Sequence, residues 1–540
     1  MSADDDINAL IVQAVTNLSS TESGPTLAEL YARTTEGGTE LASSLDPLSI
    51  LSVLLPLRNS DAQNWIEFLG RCCSAKEVVL AIQEELERIT ERAENDEEGE
   101  NSGDSSGKST LVERLIALLL LSKSAITRLE PRRRTPSETL KFTLSELRQA
   151  LEAISSRAKP SEGRKLLVLV EGLAEDILGW VQGLPAITRD EVAKCQRELK
   201  SLDDHALLNF RSSLRCDTAQ RALEVCFPRL RRVGEDQNFS DNPDAQIVIK
   251  RITRYDAALL ETLGSTPSVI SVILLVHSWL SSMSTPALSN LTPFLPSLFT
   301  MLQPASTLHD DALAFLLLFL HRNQTTIKTE VSPDIIYALT PPIVALSSAH
   351  PSPSIRHQAF RVLSFLLSSG PTQLRLQLLA DLVADSEYPQ MRVAAVGLVK
   401  DAVLEALNSQ SESRANVFGT PMFMRVFGPL LFRPSPPDLF VPGTKLDLGE
   451  FLDSPEPKRL TEVLSLYYVV LLRDKGNKTG IRDKDMLSTL DKNLLNPLRE
   501  WLKVAMEGDR HPSSADDHAL MPLVSLKTGL DRVMEARANL

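Results

Sequence analysis

Residues 353–363 and 389–399 repeat one pattern at a spacing of 36 positions. Pro353, Arg356 and Ala359 recur as Pro389, Arg392 and Ala395. Ile355, Phe360, Val362 and Leu363 are answered by the apolar Met391, Val396, Leu398 and Val399. Self-similarity at such a period marks stacked helical repeats, because one helical pair cannot bury its apolar face alone and needs its neighbours. Each copy reads as a proline, an amphipathic helix, a turn and a second helix. Pro353 and Pro389 stand where proline costs a helix least, at the first turn. Ala359 and Ala395 are small enough to let two helices approach closely. Arg356 and Arg392, one turn in, are expected to tie one repeat to the next by hydrogen bonds. Residues 372–385 read as the second helix, with Leu374, Leu378, Leu379, Leu382 and Val383 on one side. The pattern predicts an all-α chain, an irregular HEAT- or armadillo-like α-solenoid. Solenoids offer long surfaces to other proteins and rarely perform bond chemistry.

Composition agrees with that reading and narrows the partners. Apolar residues make up 43% of the chain and aromatic ones 5%, enough for a large helical core. The net charge of −13 argues against nucleic acid or an anionic membrane as the main partner and is compatible with a monomer. The five cysteines, Cys72, Cys73, Cys195, Cys216 and Cys226, are odd in number and contain no Cys-x-x-Cys. With an acidic start unlike a leader, they imply a reducing interior: the cytoplasm, with the nucleus open as a second location. The longest apolar runs, residues 312–320 and 269–280, fall short of the roughly 20 residues that span a bilayer. They read as central helices of the array.

The organisation follows from the breaks. Residues 1–90 form an N-terminal helical region. Residues 91–110 are an acidic loop, and 91–104 hold seven acids and one arginine. Helical repeats run over 111–245. HEAT-like repeats occupy 246–432, the clearest pair at 353–408, with prolines such as Pro341-Pro342 marking turns. A proline-rich loop spans 433–457, and C-terminal helices fill 458–540, one of them over 486–506. No alternation of apolar and polar residues persists long enough for a strand.

Catalytic and metal motifs are weak. Gly103-Asp-Ser-Ser-Gly-Lys-Ser109 has three residues between its glycines where a phosphate-binding loop needs four, and no apolar strand precedes it. The eight histidines show no His-x-x-x-His spacing. His309-Asp310-Asp311 reads as the acidic start of a helix. Cys72 and Cys73 sit near Trp65 and Phe68 and read as small apolar residues. Cys216 and Cys226, with Arg215, Arg221 and Arg229 around them, are the better redox pair, because a nearby guanidinium lowers a thiol pKa. No nucleophile elbow is present. The expectation is a protein without enzymatic activity, cofactor or metal.

Tyr388-Pro-Gln-Met-Arg-Val-Ala-Ala-Val-Gly-Leu-Val-Lys-Asp401, then Phe427-Gly-Pro-Leu-Leu-Phe432 before a proline-rich loop, resembles the glomulin family. Residues 354–363 fit it as well. That family includes the plant aberrant-lateral-root-formation proteins and the fungal YAP-binding proteins. The clear similarity covers residues 350–435, and the first 240 residues carry no matching motif. The resemblance implies a HEAT-like solenoid that binds the RING subunit of a cullin–RING ubiquitin ligase through its C-terminal repeats and blocks ubiquitin transfer. The fungal relatives imply an alternative: an oxidative-stress or kinetochore scaffold that binds a bZIP-type transcription factor. The matching residues are packing residues. If the analogy holds, the contact surface lies within residues 418–540, where Arg425, Lys445, Asp447, Glu450, Arg482 and Trp501 are the candidates.

Overall fold

The helices begin where their first turns are chemically closed. The computed structural model describes residues 7–17, 24–36, 44–95, 109–130, 134–185, 187–214, 217–230, 267–282, 290–327, 330–384, 387–408, 416–440, 448–507 and 520–539. Among these residues there is no β-strand. They divide into two compact units, one reaching residue 214 and the other starting at 217.

The first unit holds α1 (Ile7–Asn17), α2 (Leu27–Glu36), α3 (Pro47–Leu54), α4 (Ser60–Cys72), α5 (Ala75–Glu94), α6 (Leu111–Ile126), α7 (Pro136–Ile154), α8 (Pro160–Gly183) and α9 (Arg189–Leu214). Reciprocal capping boxes open α6 (Thr110 with Glu113) and α7 (Thr135 with Glu138), each satisfying two otherwise orphaned amides. The odd-numbered helices pack in succession as one layer and α2, α4, α6 and α8 as the other. This two-layer stack is the solenoid arrangement the repeat predicts. α7 buries Leu140, Leu144, Leu147, Leu151 and Ile154, each worth about 1.5–3 kcal/mol by transfer. Two glycines set close approaches between helices. A Cβ on Gly70 would lie 2.4 Å from Ser124 Oγ, and one on Gly163 would lie 2.0 Å from Ser213 Oγ. Trp65 is fully buried, donates to the Leu27 carbonyl at 3.0 Å and meets Tyr31 and Phe68 edge-on. Residues 91–94, assigned to the acidic loop by charge, continue α5. Ile89 anchors that end in the core, and the acids lie on its solvent side.

The second unit holds α10 (Thr218–Cys226), α11 (Val269–Ser282), α12 (Leu295–Met301), α13 (His309–Arg322), α14 (Pro333–Ala349), α15 (Pro353–Ser368), α16 (Thr372–Ala384), α17 (Pro389–Asn408), α18 (Pro421–Leu431), α19 (Leu448–Asp453), α20 (Glu456–Arg473), α21 (Lys484–Leu490), α22 (Asn496–Glu507) and α23 (Met521–Ala538). The apolar run at 312–320 is the middle of α13, a central helix packed against α10, α11, α12 and α15. Asp310 and Asp311 open it as expected, and they also accept from Thr218 Oγ1 at 2.7 and 3.1 Å, which ties α13 to α10.

Pro353 and Pro389 take the first positions of α15 and α17, and Ala359 and Ala395 are fully buried. The phase of the repeat differs from the sequence reading. The close hairpins are α14–α15 and α16–α17, so each proline-led helix is the second member of its pair. The arginines follow that phase. Arg356 donates to the carbonyls of His350 (2.7 Å) and Pro351 (3.0 Å), and Arg392 donates to Val383 O (3.3 Å). Each thus satisfies carbonyls at the end of the helix before its own, where cations are favoured, rather than reaching into the next repeat.

Three other elements depart from expectation. Pro341 and Pro342 lie inside α14 and mark no turn, and Thr340 Oγ1 bonds Ile336 O at 2.7 Å beside them. The proline-rich stretch 433–457 contains α19, held by buried Phe451. The helix read over 486–506 is interrupted by a π turn at Asp491–Leu495, where Leu494 and Leu495 are both buried side by side.

Candidate protein interface

The C-terminal end of the second unit builds a cleft from the inside outward. Its foundation is Arg459 of α20, 2% exposed. Arg459 donates to both carboxylate oxygens of Glu456 at 2.7 Å, to Leu431 O at 3.3 Å and to Arg433 O at 2.6 Å. Glu456 in turn accepts the Ser435 amide at 2.9 Å. A buried bidentate pair with its remaining bonds satisfied is a rigid fixture, since moving either partner would strand a charge. It fixes the segment that leaves α18. A second bidentate pair, Arg537 of α23 on Asp491, with one bond at 2.8 Å, fixes the π turn on the other side.

Between these fixtures lies a cleft of about 380 Å³ lined by Arg433, Pro434, Pro437, Phe440, Lys492, Asn493, Pro497 and Glu500. Phe440, Phe451 and Trp501 meet beneath it, with ring centroids 4.9 to 6.0 Å apart. Along α22, Pro497, Glu500 and Val504 follow one another at helical spacing on one line. Leu498 and Leu502 are buried behind them, and Val504 is 73% exposed. Arg433, Lys492, Arg499 and Lys503 are exposed around it, against the exposed Asp438 and Glu500. A mixed apolar and cationic face on a strongly acidic chain has the makeup of a partner-binding patch. A larger cleft of about 610 Å³ in the first unit lies between α4 and α6. There Arg58 pairs with Glu113 and Arg71 with Glu67, so its charges are mostly answered internally.

The sequence candidates distribute unevenly over this end. Trp501 is half-buried and anchors the aromatic group, and Glu450 is exposed one residue from Phe451. Arg425 is exposed on α18. Arg482 is half-buried: its guanidinium bonds Leu471 O and its amide donates to Asn477 Oδ1 at 2.8 Å, so it braces the 474–483 loop. Lys445 and Asp447 lie outside the described residues, as does Cys216. Phe440, Lys492 and Val504 were not singled out from the sequence. For Val504 a signal existed, an apolar residue seven positions from Pro497 on a polar helix side.

Cys226 does not carry the chemistry its arginine neighbours imply. It is buried against α13, its thiol faces Leu317 O at 3.8 Å, and burial pushes its pKa up to about 12. Arg221 meanwhile pairs with Asp217. Cys73 is likewise raised to about 12, chiefly by burial. Among the described residues no group of three or more His, Cys, Asp or Glu side chains could hold a metal ion. No described helix is long and apolar enough to cross a membrane.

Residues 294–516 match the family model described as an uncharacterised protein family, YAP/Alf4/glomulin. The match extends well beyond the motif-bearing stretch 350–435 on both sides and takes in the whole cleft. No curated protein matches the chain.

Proposed function

We propose that the chain, whose residues 294–516 match the YAP/Alf4/glomulin family model, is a protein-binding solenoid that regulates a cullin–RING ubiquitin ligase by covering its RING subunit. The observation that carries this reading is the face of α22: exposed Val504 beside Glu500 and Lys503, with Arg499 at its edge, over the aromatic group of Trp501 and Phe440. A RING face is small, and one solenoid end with an apolar centre and a charged rim is enough to occlude it. Blockade of this kind needs no catalytic group, only a surface whose side chains are already ordered, so that little entropy is lost on binding.

The test is co-purification with a cullin–RING core, with ubiquitin transfer read alongside. The wild-type chain should bind and suppress transfer. The double variant Lys503→Glu, Val504→Asp should lose both activities with its helix content unchanged. Absence of binding by the wild-type chain at micromolar concentration would remove this reading.

The word YAP in the family description favours a second reading, a scaffold for a bZIP-type stress transcription factor. Burial of Cys226 speaks against a version in which that thiol is the relay. The same α22 variant would then lose the transcription factor and leave ubiquitin transfer untouched.

A further inference from the structure

A second surface lies in the first unit, on the face shared by α5 and α7. Two ties fix the relation of these helices. Gln83 donates to Thr143 Oγ1 at 2.7 Å, and Arg157, just past α7, donates to Ala93 O at 2.8 Å. The helices therefore run parallel and in register. One turn beyond Gln83–Thr143, Glu87 of α5 faces Glu146 of α7. Glu146 is only 9% exposed. Among the described residues neither carboxylate takes part in a hydrogen bond or an ion pair. Burial, and then the charge of Glu87, raise the Glu146 pKa. Of the cations on these helices, the two nearest in sequence are paired with other groups, Arg88 with Glu84 and Glu85, and Arg148 with Ser201 and Glu198.

At the other end of the same strip, Leu80 is 44% and Phe142 52% exposed. Leu80, Gln83 and Glu87 fall on one line of α5, and Phe142 and Glu146 on one line of α7. The strip therefore offers two large apolar side chains and, one turn beyond Phe142 and two turns beyond Leu80, or roughly 6 to 10 Å further along, a pair of unneutralised carboxylates. One of that pair is already partly desolvated. Folding has left two like charges together where a burial this deep ordinarily brings a partner.

We propose that the α5–α7 strip is a docking site for a basic amphipathic helix of a partner protein. A lysine or arginine of that helix lies between Glu87 and Glu146, and an apolar side chain about two turns away packs on Leu80 and Phe142. The observation that selects this occupant is charge complementarity. A cation at that point answers both carboxylates at once and removes their repulsion, so its binding is favoured by charges the chain itself leaves unanswered. This site is independent of the C-terminal face and of the ubiquitin-ligase reading.

The full-length chain is titrated against a fluorescein-labelled peptide of about 18 residues, long enough to be helical, with leucine and lysine seven positions apart, and fluorescence anisotropy is recorded. A peptide with glutamate in place of that lysine is the control. Glu146→Gln, Glu87→Gln and Phe142→Ser should each weaken the lysine peptide about tenfold, and the glutamate peptide should not bind measurably. Equal binding of the two peptides, or an affinity that none of the three substitutions changes, overturns the proposal. So does absence of binding at millimolar peptide. Thermal unfolding of Glu146→Gln is the second readout. Relief of a desolvated like-charge contact should leave that variant at least as stable as the wild type, and a fall of several degrees would mean that Glu146 has an internal partner and no vacancy for a ligand.

Discussion

Replacing Arg459 should unfasten the C-terminal cleft, and its cost can be worked from the bonds it makes. Arg459→Met keeps most of the buried volume but leaves Glu456, itself buried, without its counter-ion, and strips the Leu431 and Arg433 carbonyls of their donor. Breaking a buried pair from one side costs about 3–5 kcal/mol, because the remaining charge stays desolvated. Glu456→Leu leaves the guanidinium with two carbonyls and orphans the Ser435 amide, and should cost a similar amount. The double variant leaves no stranded charge, only the backbone groups, whose lost bonds are worth about 0.5–1.5 kcal/mol each. The double variant should therefore be less destabilised than the sum of the singles by about 5 kcal/mol. Denaturant unfolding of the second unit's transition, followed by fluorescence, provides the cycle. Exchange of the Ser435 amide provides a local readout, since its protection depends on Glu456. Additivity within about 0.5 kcal/mol, or unchanged protection of Ser435 in Glu456→Leu, would refute the claim that this pair fixes the cleft wall.

Two further outcomes follow from burial. Gly163→Ala should destabilise the first unit by about 1–3 kcal/mol through overpacking, because its new methyl would meet Ser213 Oγ, and Ser213→Gly in the same chain should restore much of the loss in a thermal melt. His277 is buried and neutral, its pKa pushed down to about 4 chiefly by burial and then by Arg221, and Asp311 at 4.0 Å does not offset this. The unfolded chain therefore binds the proton more readily, and the second unit should lose stability as pH falls from about 6.5 through about 4, at up to about 1.4 kcal/mol per pH unit. His277→Gln should flatten that part of the pH–stability curve. An unchanged slope would show that other groups govern it.

Much of the architecture was readable because its causes are local. Prolines at first turns, acids at helix starts and apolar residues three and four apart act within one helix, and they announced α13, α15 and α17 before any packing was known. The 36-position repeat announced that these helices stack. What local signals could not decide is which neighbour each helix chooses. The hairpins α14–α15 and α16–α17 set the phase of the repeat, and with it the roles of Arg356 and Arg392, through side-chain packing that no single helix encodes. Pro341 and Pro342 read as a turn by composition, yet they sit within a helix because its apolar face, from Ile336 through Leu339 to Ile343, is buried continuously across them. The acids from Glu91 onward read as a loop, yet α5 continues to Glu94 beyond the buried Ile89, with those acids on its solvent side.

The interfaces belong still more to the tertiary structure. Trp501 meets Phe440 and Phe451 from distant parts of the chain, and Glu87 meets Glu146 only because α5 and α7 stack in parallel. Amphipathic periodicity is a property of one segment and survives in the sequence. A patch, a cleft wall or a like-charge pair is a relation between segments, and it exists only once long-range packing has brought those segments to the same place.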